Sequence, residues 1–399
     1  MIDSAWRRTF GALHDSGYAR RSPRPGLTNR TAGGVDLAAG EARYPLPEPV
    51  RAELGTAVAD LDLIGYGHPA GDLGLRAAFL QHLLAGASAR DLASPRPAGT
   101  ATGDPNQVLV TAGGKEAAAL ALRHLLNEHG GHGLLLPQPG WEPYRIWAAG
   151  FDVPVMPYSP AAFAADPGLL RTLVQGQQRP SVLVLNYPHN PTGVTIDQAS
   201  LNQLLATASE LELAVLSDEV YRWFGPDPVS AIFAPAYDPR RHLIVDSTSK
   251  WLTTAGLRVG FLVGHPDVIG NLSAFRGTYA SGTSTVDQRL AHQLLSSPTA
   301  TDWLTEVRLD VDRVRTETVK HLVDLGVIVL SHGSLYIWCN RDLEHPGVLH
   351  DAPSHAAASL TPGDGFGSPG RVRLCAARAG LEPAEAAAAA FAALRGTDA

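Results

Sequence analysis

Asp246-Ser247-Thr248-Ser249-Lys250-Trp251-Leu252-Thr253-Thr254-Ala255-Gly256-Leu257-Arg258-Val259-Gly260-Phe261 is the stretch around which the chain is organised. It follows the apolar run Leu243-Ile244-Val245, which reads as the end of a buried strand. Lysine occurs only as Lys115, Lys250 and Lys320, and arginine supplies the rest of the 32 basic residues. Guanidinium stays protonated, so chemistry that needs a neutral amine to bond an aldehyde needs lysine. Ser247, Ser249 and Arg258 offer two hydroxyl donors and a forked cation, a set suited to a phosphate. An amine beside a phosphate cup describes attachment of pyridoxal phosphate. Taken alone, the stretch also fits a surface loop with a solvated lysine, and the rest of the chain has to decide.

The bulk composition is that of an ordinary globular protein. The 399 residues are 45% hydrophobic and 18% charged, enough for a large core and about two domains. A formal charge of −7 argues against a broad nucleic-acid surface. Two cysteines, Cys339 and Cys375, imply no disulfide framework and suit a reducing compartment. No apolar run approaches the roughly 18 residues of a membrane helix. The opening residues Met1 to Arg8 lack the apolar centre of a signal peptide, so a cytoplasmic location is the expectation.

Residues 1–46 are rich in Arg, Gly, Pro and Ser and read as an arm that also joins part of a small domain. From Pro47 the spacing Val50, Leu54, Val58, Leu61 predicts a helix. Residues 64–71 form a turn-rich break, Leu73 to Leu84 a second helix, and 87–105 a loop. A regular alternation follows. Strands are expected at 107–111, 134–136, 153–156, 182–185, 213–216, 243–245 and 261–263. Helices are expected at 116–127, 141–149 and 201–211. Strands that are apolar throughout and separated by helices indicate a mostly parallel sheet covered on both faces, hence a three-layer α/β domain over residues 47–290. Ligands in such sheets sit beyond the carboxyl ends of the strands. After about residue 290 the pattern changes to a long amphipathic helix at 302–325, short strands at 327–330, 335–338 and 372–374, and an alanine-rich helix at 383–394. This reads as a smaller α+β C-terminal domain, residues 291–399.

The polar clusters fall just after the strands. Thr111-Ala112-Gly113-Gly114-Lys115-Glu116 joins a strand to a helix, where glycines allow close backbone approach and the helix start attracts an anion. It is not a P-loop, since Glu116 follows Lys115 and the upstream glycine spacing is wrong. Trp141 offers a ring that can stack or simply pack. Asn190, between prolines in Asn186-Tyr187-Pro188-His189-Asn190-Pro191-Thr192-Gly193, can donate to a ligand oxygen, with His189 a bystander. Asp218, in Ser217-Asp218-Glu219-Val220-Tyr221, is a carboxylate at a strand end that needs a cationic partner, which a pyridinium nitrogen would supply, and Tyr221, three residues on, is placed to reach a phenolate oxygen of that same ring. His124, His129 and His132 lack a completing metal ligand and read as a solvated helix end; no metal site is expected.

In combination, P-x-N-P-T-G at 188–193, D-E-V-Y at 218–221, and S-x-S-K with G-x-R-x-G at 247–260 resemble the fold-type I pyridoxal-phosphate enzymes, specifically the class I/II aminotransferases. The resemblance runs from about Ala39 to the C-terminus. It implies that Lys250 holds the cofactor covalently, that Asp218 pairs with the pyridine nitrogen, and that Tyr221 and Asn190 contact the ring oxygen. Gly113, Gly114, Lys115, Ser247, Ser249 and Arg258 would surround the phosphate, and Trp141 would stack on the ring. Tyr66, ahead of Gly71 and Arg76, would reach the phosphate of a neighbouring subunit, making a homodimer with shared active sites. Arg373 would grip the substrate carboxylate with Asn190 and Gly40 beside it. Arg371 shares its strand face with Arg373, so alternation alone does not separate the two.

Two departures stand out. The family usually has Gln or Thr where Lys115 stands, and the segment between Trp338 and Pro362 is short and carries His345, His350 and His355. The expected activity is amino-group transfer from an α-amino acid to a 2-oxo acid, with Lys250, Asp218 and Tyr221 as the catalytic set. Relatives with the same residues also perform β- or γ-elimination, replacement or cyclisation. A DNA-binding regulator of the same fold is disfavoured, because only about forty residues precede the match.

Overall fold

The computed structural model describes residues 35–62, 64–85, 103–175, 180–225, 228–343 and 358–395. The readings made on residues 1–34, on most of the loop 87–105, and on His345, His350 and His355 lie outside the described residues. In chain order the strands are β1 (Val35–Asp36), β2 (Val108–Thr111), β3 (Leu134–Pro137), β4 (Val155–Tyr158), β5 (Val182–Asn186), β6 (Ala214–Asp218) and β7 (His242–Ser247). They continue as β8 (Gly260–Val263), β9 (Val327–Gly333), β10 (Tyr336–Leu343), β11 (Ala358–Ser359), β12 (Thr361–Pro362) and β13 (Arg371–Cys375).

Seven strands form the central sheet in the order β2-β8-β7-β6-β5-β3-β4. Only β8 runs against its neighbours β2 and β7; the remaining pairings are parallel. The side chains explain why the strands are apolar at every position. Leu109, Leu134, Val182, Val184, Leu216 and Val245 point into one core. Their neighbours Val108, Leu135, Leu183, Leu185, Val215 and Ile244 point into another. Alternation therefore feeds two hydrophobic layers, one under each face. The helix Gly114–Glu128 closes the first with Ala117, Ala121, Leu122 and Leu125. The helix Gln198–Glu210 closes the second with Leu201, Leu204, Leu205 and Ala208.

A smaller antiparallel sheet, β12-β13-β10-β9, packs on the helices Pro298–Asp324 and Pro383–Arg395. Its core includes Val314, Leu322, Ile337, Leu374, Ala390 and Phe391, and Leu37 from the start of the described chain is part of it. The 27-residue helix Pro298–Asp324 serves both regions. Val307 and Val311 belong to the core of the large sheet, and Val314 and Leu322 to that of the small one.

Some boundaries differ from the sequence expectation. The strand expected at 153–156 runs Val155–Tyr158, because Asp152 in the left-handed region and Val153, whose N–H bonds Ala148 O, are used in leaving the preceding helix. Trp141 caps the helix Glu142–Phe151 rather than starting it. The helices Pro266–Ala280 and Thr285–Ser296 were not anticipated. The buried face of the first mixes Val268, Ile269 and Leu272 with Ser273 and Arg276, so its apolar period is broken. His124 and His129 are half-buried rather than solvated, and burial lowers the pKa of each.

Because β8 starts where the parallel strands end, Gly260 lies against the Gly113-Gly114 turn at the carboxyl edge. A Cβ at residue 260 would collide with the backbone of both glycines. Gly260→Ala is expected to lower stability by about 1–3 kcal/mol through overpacking. Gly55→Ala, on an exposed helix with nothing within 4 Å of the new methyl, is expected to raise it by about 0.5–1 kcal/mol. Urea denaturation of the two variants beside the parent checks the contrast.

Candidate active site

The carboxyl ends of β2, β5, β6 and β7 border one cleft of about 330 Å³. Asp218, the last residue of β6, lies at its floor and is 6% exposed. The Tyr144 hydroxyl donates to its Oδ2, and the Val220 N–H reaches Oδ1 at 3.4 Å. Burial raises its pKa to about 6, partly opposed by those two hydrogen bonds and by the charge of Lys250. Asn186, at the end of the neighbouring β5, donates to Asp218 O at 3.1 Å and accepts the Asn190 N–H at 3.0 Å. One amide thus fixes the spacing of two loops.

Lys250 rides on the single turn Thr248–Trp251 that follows β7. The turn is pinned from behind. Asp246 Oδ1 accepts the Ser247 N–H at 2.6 Å and the Trp251 indole N–H at 3.2 Å, and Thr248 Oγ1 donates to Val259 O at 3.1 Å. Lys250 Nζ donates to Gly40 O at 2.6 Å and stands 5.5 Å from the Tyr221 ring.

Ser247 caps the turn, its Oγ accepting the Ser249 N–H at 3.2 Å and lying 2.9 Å from Ser249 Oγ. Arg258 adopts the left-handed conformation and is braced by Ala255 O at 3.0 Å and Ala112 O at 3.3 Å. A Cβ on Gly113, itself at φ +85°, would meet the guanidinium carbon of Arg258 at 3.0 Å. Glycine there lets the cation lie close to the start of the helix Gly114–Glu128. Trp141 and Lys115 form a wall, with Lys115 Nζ 5.5 Å from the indole centre.

The remaining wall comes from the small sheet. Arg373, in the middle of β13, donates from Nη1 to Asn190 Oδ1 at 2.8 Å and from Nη2 to Ala38 O at 2.7 Å. Gly40 has no room for a side chain, since a Cβ would meet Tyr336 Oη at 2.7 Å and both Arg373 amino nitrogens at 3.2 Å. Arg371, at the start of the strand, donates from Nη1 to Gly370 O and does not line the cleft. Between the two arginines that alternation left open, the structure brings Arg373 to the cleft.

The cleft gathers Gly40, Gly114, Lys115, Trp141, Asn190, Asp218, Tyr221, Ser247, Ser249, Lys250, Arg258 and Arg373. Gly113 lies just behind, under Arg258. Tyr66 is not among the lining residues and is 96% exposed. His189 is buried, its Nδ1 2.7 Å from Thr192 Oγ1, and burial lowers its pKa to about 3. Sequence reasoning did not single out Tyr144 or Tyr336. Tyr336 lines the cleft, with its hydroxyl 2.7 Å from that of Tyr221. No group of His, Cys, Asp or Glu able to hold a metal exists among the described residues.

A helix start, two serines and a braced arginine form a cup for a dianion. A buried carboxylate facing the same space suits a protonated ring nitrogen, and the Lys250 amine opens on the same cleft. The residues present fit pyridoxal phosphate. A family profile described as "Aminotransferase class I and II" matches residues 32–391. This chain belongs to that family. It is a pyridoxal-phosphate-dependent aminotransferase with the α/β fold of the class.

Similar proteins include an aspartate aminotransferase of Pyrococcus abyssi, 27% identical over 84% of this chain and 85% of the relative. Another is aromatic-amino-acid aminotransferase 2 of Thermococcus litoralis, 26% identical over 86% and 87%. The solved aspartate aminotransferase of Thermus thermophilus with maleate superposes with a TM-score of 0.74 at 23% identity, covering 97% of this chain and 96% of that one. Among the described residues, no helix of this aminotransferase is long and apolar enough to cross a membrane.

A carboxyl whose folded pKa is raised favours folding below its unfolded value and loses that contribution as pH climbs through the folded value. For Asp218 the window is about pH 4 to 6. In the cofactor-free protein, Asp218→Asn is therefore expected to gain about 2–3 kcal/mol of stability relative to the parent between pH 4 and pH 7. Denaturation curves across that range read it.

Proposed function

We propose that this aminotransferase acts on acidic α-amino acids, passing the amino group to a 2-oxo acid. The observation that carries the reading is the placement of three cations around the cleft in addition to Lys250. Arg258, with Ser247, Ser249 and the helix start at Gly114, suits the cofactor phosphate. Arg373, oriented by Asn190 with Gly40 beneath it, suits the α-carboxylate as a planar fork. Lys115, lining the cleft beside Trp141, is assigned here to a second carboxylate on the substrate side chain in place of the phosphate role that the family resemblance implies. The relatives named aspartate aminotransferase and aspartate/prephenate aminotransferase support the same substrate class.

In this reading each residue has a task. Bound pyridoxal phosphate supplies an aldehyde for the amine and a ring that accepts electrons from the substrate carbon. Asp218 would keep a proton on the ring nitrogen and so gain a partner for a buried carboxylate. Tyr221 and Asn190 would hold the ring oxygen, and Trp141 would cover a ring face. Lys250 is the covalent anchor. Freed when the substrate amine takes its place, its Nζ would take the Cα proton as general base and carry it to the former aldehyde carbon, two atoms along.

The assembly we infer is a cytoplasmic homodimer with shared sites. Residues 47–290 would form the cofactor-binding domain, and residues 291–399 with part of residues 1–46 the smaller one. Support for the dimer comes from the start of the helix Leu73–Ala85 and the loop ahead of it, where Leu73, Ile64 and Tyr66 are 61%, 67% and 96% exposed. Tyr66 would meet the phosphate of the partner.

Two measurements test this reading. With a panel of amino acids and mass detection of the 2-oxo acids, aspartate or glutamate should turn over well ahead of alanine. Arg373→Lys should weaken all of them by about 1–3 kcal/mol, whereas Lys115→Met should weaken only the dicarboxylic ones; equal loss on alanine would exclude the Lys115 role. For the dimer, sedimentation should give a two-chain species and Tyr66→Ala a reduced affinity for pyridoxal phosphate. A fully active monomer is the result that sinks it.

A further inference from the structure

Tyr336 begins β10, is fully buried, and closes a ring of contacts that joins the small sheet to the cleft. Its hydroxyl lies 2.7 Å from Tyr221 Oη, and the Arg373 guanidinium sits over its ring at 4.7 Å. Arg373 donates to Asn190 Oδ1 at 2.8 Å, and Asn190 Nδ2 donates to Tyr221 Oη at 3.3 Å. The donor directions follow from valence. Arginine can only donate, so the Asn190 oxygen must face Arg373 and its NH₂ must face Tyr221. A phenol oxygen has two acceptor sites and one proton. With Asn190 Nδ2 on one site and the Tyr336 hydroxyl on the other, the Tyr221 proton has only the cleft side left.

The reverse direction, with Tyr221 donating to Tyr336, would send the Tyr336 proton to Gly40 O. That oxygen is 3.5 Å away, at the limit of a hydrogen bond, whereas Tyr221 Oη lies at 2.7 Å. Burial, with Tyr221 adding to it, holds the Tyr336 phenol well above the ordinary tyrosine range, so it remains a donor at any working pH.

We propose that Tyr336 is a positioning residue of the reaction: its hydroxyl turns the Tyr221 proton into the cleft, toward the oxygen of bound pyridoxal phosphate, while its ring supports Arg373. The proposal rests on the reading of Tyr221 given above. A phenol that accepts a hydrogen bond is a better donor in turn. Tyr336 therefore favours the ionised cofactor oxygen and lowers the pH at which the bound cofactor changes its visible absorption. Glu41, Lys115, Asp218, Lys250, Arg258 and Arg373 also line that cleft, and none of them changes in the variants compared.

The experiment is a pH titration of the visible absorption of the holoenzyme, with maleate affinity as the second readout. Tyr336→Phe keeps the ring and removes only the hydroxyl. The absorption midpoint should rise by about 0.5–1 pH unit, the scale of one neutral hydrogen bond, with maleate affinity kept within about twofold. Tyr336→Leu should raise the midpoint equally and also weaken maleate by about fivefold or more, through the lost cation–ring contact. In a Tyr221→Phe background, Tyr336→Phe should move the midpoint no further.

An equal shift in both backgrounds would overturn action through Tyr221. So would a Tyr336→Phe variant with an unmoved midpoint while Tyr221→Phe alone shifts it. If Tyr221→Phe itself leaves the midpoint in place, the assignment of Tyr221 fails first and this proposal fails with it.

Discussion

A carboxylate held where water cannot solvate it is the constraint on which the rest of the site depends. Removing a charge from water costs several kcal/mol unless a partner is supplied. Asp218 receives hydrogen bonds from Tyr144 and Val220, and burial still outweighs them, which is why its pKa rises rather than falls. A cation in the cleft would supply further compensation. The sheet sets this demand by ending β6 there, and the serines, arginine, lysine and indole at the neighbouring strand ends suit a phosphate-bearing cationic heterocycle.

The second dependence runs across the seam between the sheets. Ser331 Oγ donates to Thr192 O at 2.8 Å. Gly193 and Gly333 touch backbone to backbone so closely that neither could carry a Cβ. That contact lies at the end of the loop holding Asn190 and at the turn leading to Tyr336. Arg373 and Asn190 therefore meet because two glycines permit two loops to touch, and the orientation of each polar group depends on the group opposite it.

Much of this was legible in the sequence, and the limits have physical causes. The buried strands could be read because both faces are covered and every residue is apolar. Asp218, Asn190, Tyr221, Ser247, Lys250 and Arg258 could be read because each lies in a short motif directly after a strand, where local spacing carries the information. Tyr144 and Tyr336 could not. Their partners are 74 and 115 residues away, and each sits in an element where a tyrosine looks like ordinary core. The helix Pro266–Ala280 was hidden by Arg276, which is buried on Glu116 and Thr283 and so falls on the face where an apolar residue would mark a helix. Arg371 and Arg373 share a strand face, and what separates them is the position of the strand end, which no pattern of alternation encodes.

The helix Pro298–Asp324 has one consequence of its own. Its first half is part of the large core and its second half of the small one, with no break in the helix between Val311 and Val314. Helix formation is cooperative, so the smaller sheet cannot come apart without fraying a rod that the larger one also needs. The two regions are therefore expected to unfold as one unit, with loss of either appearing as a shared transition instead of two separate melts.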